Sequence, residues 1–283
     1  MVQEKSSERS MPDEPGDRQL AGLRILVTRP RGQEEHLCRL IEAAGGKALA
    51  IPALEICAIE DPEPAKALVD RIEDFDLAIF ISTNAVDYGH CLVSSRGGWP
   101  PGLKLAVVGK RSAEALVRHG LYADICPKQV FNSESLLAEE EMWQVAGKKI
   151  IIFRGEGGRE LLASTLKARG AAVSYAEVYR RTIPEDSPAQ LNRLLCEGGV
   201  DIMVVSSNEG IQNLCKITEA ENRDRLLQIP LVVMSHRNAL FARKLGFVHE
   251  PVVASLSSDE GLVAAIEAWY AINKNESSRR VIS

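Results

Sequence analysis

The chain has 283 residues, of which 45% are hydrophobic and 26% charged. That is an ordinary globular composition, long enough for about two domains. The formal net charge is −5, the pI is about 5.7 and aromatics make up 5%, which argues against a nucleic-acid binder or a membrane-surface protein. No apolar run is long enough to cross a bilayer, and the charged, polar N-terminus lacks the apolar core of a secretory signal. A cytoplasmic protein is expected.

Residues 1–22 are rich in Glu, Ser, Pro, Asp and Gly and read as a disordered tail. Short apolar runs bounded by turn residues then predict strands at 24–28, 47–51, 76–82, 104–108, 122–126, 149–154, 172–175, 201–206, 231–235 and 247–252. Amphipathic stretches lie between most of them. In 33–44, Leu37, Leu40, Ile41 and Ala44 share one helical face; 158–169 repeats the pattern with Leu161, Leu162, Thr165 and Leu166. Gly120 and Gly246 follow helices where a left-handed cap is wanted. Continuous apolar strands alternating with helices mean an α/β fold with parallel sheets covered on both faces. Residues 273–283 read as a second tail. The six cysteines, at 38, 57, 91, 126, 196 and 215, form no C-x-x-C pair and have no histidine at metal spacing, so they read as small core residues, and no metal site is expected.

The chain repeats itself at an offset of 125 to 126 residues. Arg29 matches Arg154, Gly45 matches Gly170, Asp76 matches Asp201 and Arg111 matches Arg237. One five-stranded unit has been used twice, near 22–146 and 147–272. A long polar link follows the second strand of each copy, at 52–64 and 176–188. Such links permit either tandem lobes or an exchange of the first two strands, giving lobes 57–182 and 22–55 plus 183–272. Periodicity leaves both open.

Ligands of parallel sheets bind outside the carboxyl ends of the strands. In the first copy those ends carry Thr28–Arg29, Ser82–Thr83–Asn84 and Gly109–Lys110–Arg111–Ser112. In the second they carry Arg154–Gly155, Ser206–Ser207–Asn208 and Ser235–His236–Arg237–Asn238. Hydroxyls, glycines and cations before helix starts suit a ligand with several carboxylates or phosphates. The same residue types also cap helices with no ligand present. As a set they predict two rows of donors facing one cleft. No phosphate loop, nucleophile elbow, dinucleotide fingerprint or zinc motif is present. Tyr179, in the second link, is either hinge packing or a phenolic donor over that cleft.

Several segments together resemble the uroporphyrinogen-III synthase family: T-R-P at 28–30, G-x-A-x-x-x-P-A-L-E-I at 46–56, F-I-S-T-N-A-V at 80–86, V-V-G-K-R-S-A at 107–113, V-Y-R-R-T at 178–182 and S-S-N-E-G at 206–210. The resemblance implies two flavodoxin-like parallel-sheet lobes, a duplicated unit with exchanged connectivity, joined by a two-stranded linker. Lobe 1 would be 23–55 with 183–272 and lobe 2 would be 56–182, with linkers near 52–60 and 176–184. It implies a monomeric, cofactor-free lyase of heme and tetrapyrrole biosynthesis that binds neither nucleic acid nor membrane. Its substrate would be hydroxymethylbilane, a linear tetrapyrrole polycarboxylate. Tyr179 matches the family's linker tyrosine and would be catalytic. Ser82, Thr83, Ser206, Ser207, Ser235 and Asn238 match family positions around the cleft and, with the strand-end residues Arg29, Asn84, Gly109, Lys110, Ser112, Arg154, Gly155, Asn208 and Arg237, would bind substrate. Asn84 and Asn238 depart from family members that carry an arginine and a threonine there.

Overall fold

The computed structural model describes residues 19–158 and 160–280. The tail expected at 1–22 therefore lies outside the described residues up to position 18. Beyond that Leu20 is fully buried, its N–H donating to the Ala44 carbonyl at 2.9 Å. An apolar side chain that reaches a core is held there by burial. Ten strands are formed among the described residues: β1 (Arg24–Val27), β2 (Lys47–Ala50), β3 (Glu55–Ala58), β4 (Leu77–Phe80), β5 (Lys104–Val107), β6 (Lys149–Gly155), β7 (Ala172–Thr182), β8 (Ile202–Val205), β9 (Leu231–Val233) and β10 (Val252–Val253). Among the same residues no helix is long and apolar enough to cross a membrane.

The chain divides into two compact units, one of residues up to Glu55 and from Ile183 onward, the other Ile56–Thr182. The first holds a sheet in the order β10-β9-β8-β1-β2, with every neighbouring pair parallel. The second holds the order β3-β7-β6-β4-β5, parallel from β7 to β5, and Ile125 adds an isolated parallel bridge to Ala106. In repeat terms, β1 and β2 from the first copy join β8, β9 and β10 from the second. Conversely, β6 and β7 from the second copy join β4 and β5 from the first.

Period-2 alternation explains why each sheet is buried twice. In the first unit Ile25, Val27, Ile202 and Val204 fall in one apolar cluster, while Leu26, Met203 and Val205 fall in another. In the second, Ala78, Phe80, Ile151 and Phe153 separate in the same way from Leu77, Ile79, Ile150 and Ile152. Helices cover these faces. Glu35–Ala43 buries Leu37 and Ile41, and Leu161–Ala168 buries Leu162 and Leu166. Gly120 and Gly246 have φ of 72° and 96° at the two equivalent helix ends, conformations that favour glycine.

The sequence expectations need correction at the edges. The strand expected at 122–126 is reduced to the Ile125 bridge, because the Asp124 carboxylate takes the Leu105 N–H at 2.7 Å and Pro127 follows. The strand expected at 247–252 starts only at Val252, since Pro251 cannot donate to a ladder. β3 forms inside a segment read as irregular, and β7 runs on to Thr182 instead of stopping at Tyr175. The last helix spans Asp259–Arg280. The tail expected from 273 is therefore helical as far as Arg280, and residues 281–283 lie outside the described residues.

A histidine pair sits on the second unit's helix layer. His90 and His119 stack at 4.2 Å between ring centroids. Trp99 Nε1–H, which can only donate, points to His90 Nδ1 at 3.2 Å, and His119 Nε2 lies 2.7 Å from Asp87 Oδ1. Burial and then the His119 charge push the His90 pKa down from its usual 6.5. The unfolded chain therefore binds this proton more readily than the folded one, and stability contributed by neutral His90 is lost as pH falls below 6.5. Thermal midpoints should drop more steeply between about pH 7 and pH 5.5 for the wild type than for His90→Gln. Parallel curves for the two proteins would exclude this histidine as a source of acid sensitivity.

Candidate active site

Because β1, β2, β8, β9 and β10 run the same way in the first sheet, and β4, β5, β6 and β7 in the second, the carboxyl ends of each set share an edge. In the second unit that edge brings together Ser82–Asn84 after β4, Gly109–Ser112 after β5, Arg154 and Gly155 at the end of β6, and Tyr179 in β7. Ser82 caps the helix Thr83–Ser94, its Oγ accepting from Ala85 N–H at 3.1 Å. Thr83 and Asn84 are half-buried in the first turn. Gly109 holds the N-cap of the helix Lys110–Arg118 without a side chain. Lys110 is exposed and lies 3.8 Å from Glu114, whereas Ser112 is buried.

Tyr179 is fully buried in the unit's apolar core, not displayed on a link. Two features put it there. The pairing of β6 with β7 shifts register after Arg154, which faces Glu177, so that Gly155 faces Tyr179 and Val178 is the extra residue. Such a bulge re-aims the following side chain. Gly155 then leaves room for the phenol ring: a Cβ at this position would lie 2.6 Å from ring carbons.

The polar end of Tyr179 has two partners. Its Oη is 3.1 Å from Ser82 Oγ and 3.1 Å from Nη2 of Arg181. A guanidinium can only donate. The phenolic proton therefore needs another acceptor, and Ser82 Oγ is the one in reach among the described residues. The opposite orientation would leave a buried O–H unpaired, at a cost of about 1–3 kcal/mol. Ser82 Oγ thus accepts from both Tyr179 and Ala85, and its own proton is left for the open side of this half-buried serine.

Arg154 is only 2% exposed and turned inward. Its guanidinium bonds the Gly155 and Gly157 carbonyls and Glu160, and lies 4.3 Å from the Tyr175 ring centroid. Tyr175 donates to Glu160 at 2.6 Å, and burial followed by that carboxylate pushes its pKa up to about 12. The hydrogen bond from Tyr175, then Arg154, holds the Glu160 carboxyl below its usual range. The cation expected to meet an anionic ligand is engaged here by the Gly155 and Gly157 carbonyls and the Glu160 carboxylate. A cavity of about 320 Å³ opens beside it, lined in part by Ile81, Asn132, Gly157, Tyr175 and Arg181.

The first unit has an equivalent edge. Arg29, after β1, ion-pairs with Asp259 at the start of the last helix. Ser206 is half-buried, and Ser207 caps the helix Asn208–Ile217, accepting from Gly210 N–H at 3.0 Å. Ser235 caps the helix His236–Lys244 and donates to Asn238 Oδ1 at 2.7 Å. Asn238 is 3% exposed, and its amide donates to Asn208 Oδ1 at 2.7 Å. It braces two helix starts against each other. Arg237 is exposed in the first turn.

Sequence reasoning missed Arg181, whose role depends on where Tyr179 points, and Asn132, which caps the helix Ser133–Ala138 by accepting from Ser135 N–H at 2.7 Å. The signal for Asn132 was an N-S-E run, but residues 127–131 separate it from its strand. No cluster of three or more metal-ligating side chains occurs among the described residues.

Comparison with known proteins gives a consistent result. The family model for uroporphyrinogen-III synthase HemD matches residues 35–264. The uroporphyrinogen-III synthase of Salmonella typhimurium is 34% identical over 253 residues, covering 86% of this chain and 99% of its own. That of Escherichia coli is 32% identical over 247 residues, with the same coverage of both chains. Among solved structures, a mutant uroporphyrinogen III synthase from the extremely thermophilic bacterium Thermus thermophilus is similar in fold, with a TM-score of 0.62 at 18% identity over 89% of this chain and 99% of that one.

Gly155 links the fold to the site. Its φ is not in the left-handed region, and the atoms nearest an added Cβ all belong to the Tyr179 ring. Gly155→Ala should destabilise the protein by about 1–3 kcal/mol, read as a lower thermal midpoint. In a Tyr179→Leu background, where the ring is gone, the same Gly155→Ala change should cost little further midpoint. An unchanged midpoint for the single variant would mean that the ring is not clamped.

Proposed function

The chain belongs to the uroporphyrinogen-III synthase family, and from that membership we propose that it converts hydroxymethylbilane to uroporphyrinogen III, closing the ring, releasing water and inverting the last pyrrole. The observation that carries this is the Salmonella typhimurium relative, matched at 34% identity over 99% of its length. We read each unit as a flavodoxin-like lobe, supported by a core strand order that is the same in both once strands are numbered by repeat position. The linker is read as two-stranded because β3 neighbours β7 where the chain passes between units. The protein is taken to act as a cytoplasmic monomer without a cofactor.

The chemistry suits the residues. Loss of the substrate hydroxyl leaves an azafulvene-type electrophile. The substituted carbon of the terminal pyrrole attacks it to form a spiro intermediate, which fragments and recloses. The pyrroles supply the electrons, so the protein must hold a flexible polyanion in one fold and assist departure of hydroxide as water. Substrate carboxylates suit free N–H groups at helix starts, here those after Ser82, Gly109, Ser207 and Ser235. The cations Lys110 and Arg237 stand in the first turns of two of these helices and are exposed. Arg29, Arg154 and Asn238, by contrast, would act from behind that surface, through the partners described above, and Ser112 is buried behind it. Acid assistance falls to the Tyr179–Ser82 pair.

Hydroxymethylbilane generated enzymatically and incubated with the protein should give, after oxidation, the type III porphyrin isomer. Type I alone, the spontaneous product, would leave a binding protein without this activity. Tyr179→Phe should lower kcat by about 10- to 100-fold with the thermal midpoint nearly unchanged. Wild-type kinetics in that variant would remove the phenol from the mechanism.

A further inference from the structure

We infer that Arg181, Tyr179 and Ser82 form a one-way hydrogen-bond chain in which Ser82, not Tyr179, hands the proton to the departing hydroxyl, with Arg181 as a positioning residue behind them. This rests on the synthase reading above. Tyr179 is fully buried, so its phenol does not meet a substrate directly. Its hydroxyl has a donor on one side, Arg181 Nη2, and a serine on the other, each at 3.1 Å. Arg181 also lies 5.5 Å from the Tyr179 ring centroid. The direction that leaves no buried O–H unpaired runs from Arg181 N–H to Tyr179 O–H, then to Ser82 O–H, then outward.

The proton movements balance. The Ser82 proton passes to the substrate's hydroxyl oxygen as the carbon–oxygen bond breaks, and the bonding pair leaves with water. Ser82 recovers a proton from Tyr179, whose developing phenolate charge lies against the Arg181 guanidinium. A cation at that oxygen stabilises the negative charge that develops there in the transition state. When the spiro intermediate has fragmented and the unsubstituted α-carbon of the terminal pyrrole forms the final ring-closing bond, that carbon sheds its proton, the same chain runs in reverse and the starting state is restored. The backbone N–H of Ala85 holds Ser82 Oγ in place throughout.

The test is a double-mutant cycle with kcat, KM and isomer ratio as readouts, on variants whose melting curves show them folded. Ser82→Ala should lower kcat about 100-fold, and Ser82→Thr, which keeps both hydroxyl and cap, should recover most of it. Adding Tyr179→Phe to Ser82→Ala should change kcat by no more than about twofold, because both act through one chain. Arg181→Met should lower kcat about 10-fold at constant KM and should have no further effect once Ser82 is alanine. Arg181→Lys should restore most of the loss. If Arg181→Met fails to fold, Arg181→Gln, which also removes the charge, combined with Ser82→Ala carries the same comparison. Losses that multiply in the double variants, or an Arg181 effect confined to KM, would overturn the chain. Type I product from the wild-type protein would overturn the synthase reading instead, a result separate from all of these.

Discussion

Strand β6 hydrogen-bonds to β4 on one side and to β7 on the other, all three running the same way. Their carboxyl ends therefore meet at one edge, and everything placed there follows from that pairing. Ser82 arrives from β4, Gly155 from β6 and Tyr179 from β7. The irregularity in these ladders is the single extra residue in β7, Val178, and it sets the phenol over the glycine rather than beside it. The Ser82 hydroxyl after β4 and the Arg181 guanidinium of β7 meet the Tyr179 phenol within hydrogen-bond distance because the β6–β7 register sets Gly155 opposite Tyr179.

Much of this was legible in the sequence, for an identifiable reason. Runs such as Leu77–Phe80 and Ile202–Val205 are apolar at every position because both faces of the sheet are covered. Caps such as Ser82, Ser207 and Ser235 are legible because only a few residue types can take an orphan N–H. Strand β3 was not, since Glu55–Ala58 is short and only partly buried. The inward turn of Arg154 was not either, because it depends on Glu160, Tyr175 and two carbonyls of a glycine-rich loop. Nothing in the local spacing of Tyr179 reports that a glycine from another strand opens space for its ring.

Capping and ligand binding draw on the same groups, and the structure separates them residue by residue. Ser82 gives its lone pairs to the protein and keeps a proton for outside. Ser235 gives that proton away as well, to Asn238. Two serines in equivalent roles at helix starts thus differ in what remains free to react, although both cap their helices equally well. Residue type identifies a cap; the partners of its hydroxyl decide whether it can do chemistry.

The interleaved repeat has a consequence for biosynthesis on the ribosome. The second unit is one continuous stretch, Ile56–Thr182, and every strand it needs is present once Thr182 has been made. The first unit is split: β1 takes its neighbour β8 from the far side of that stretch, and Thr28 bonds a carbonyl 176 residues away. Long-range closure of this kind is slow, so β1 and β2 emerge first yet must wait, unpaired on one flank, until Val205 has left the exit tunnel. The order of synthesis and the order of assembly are therefore opposed in this chain, and the earliest segment made is among the last to be secured.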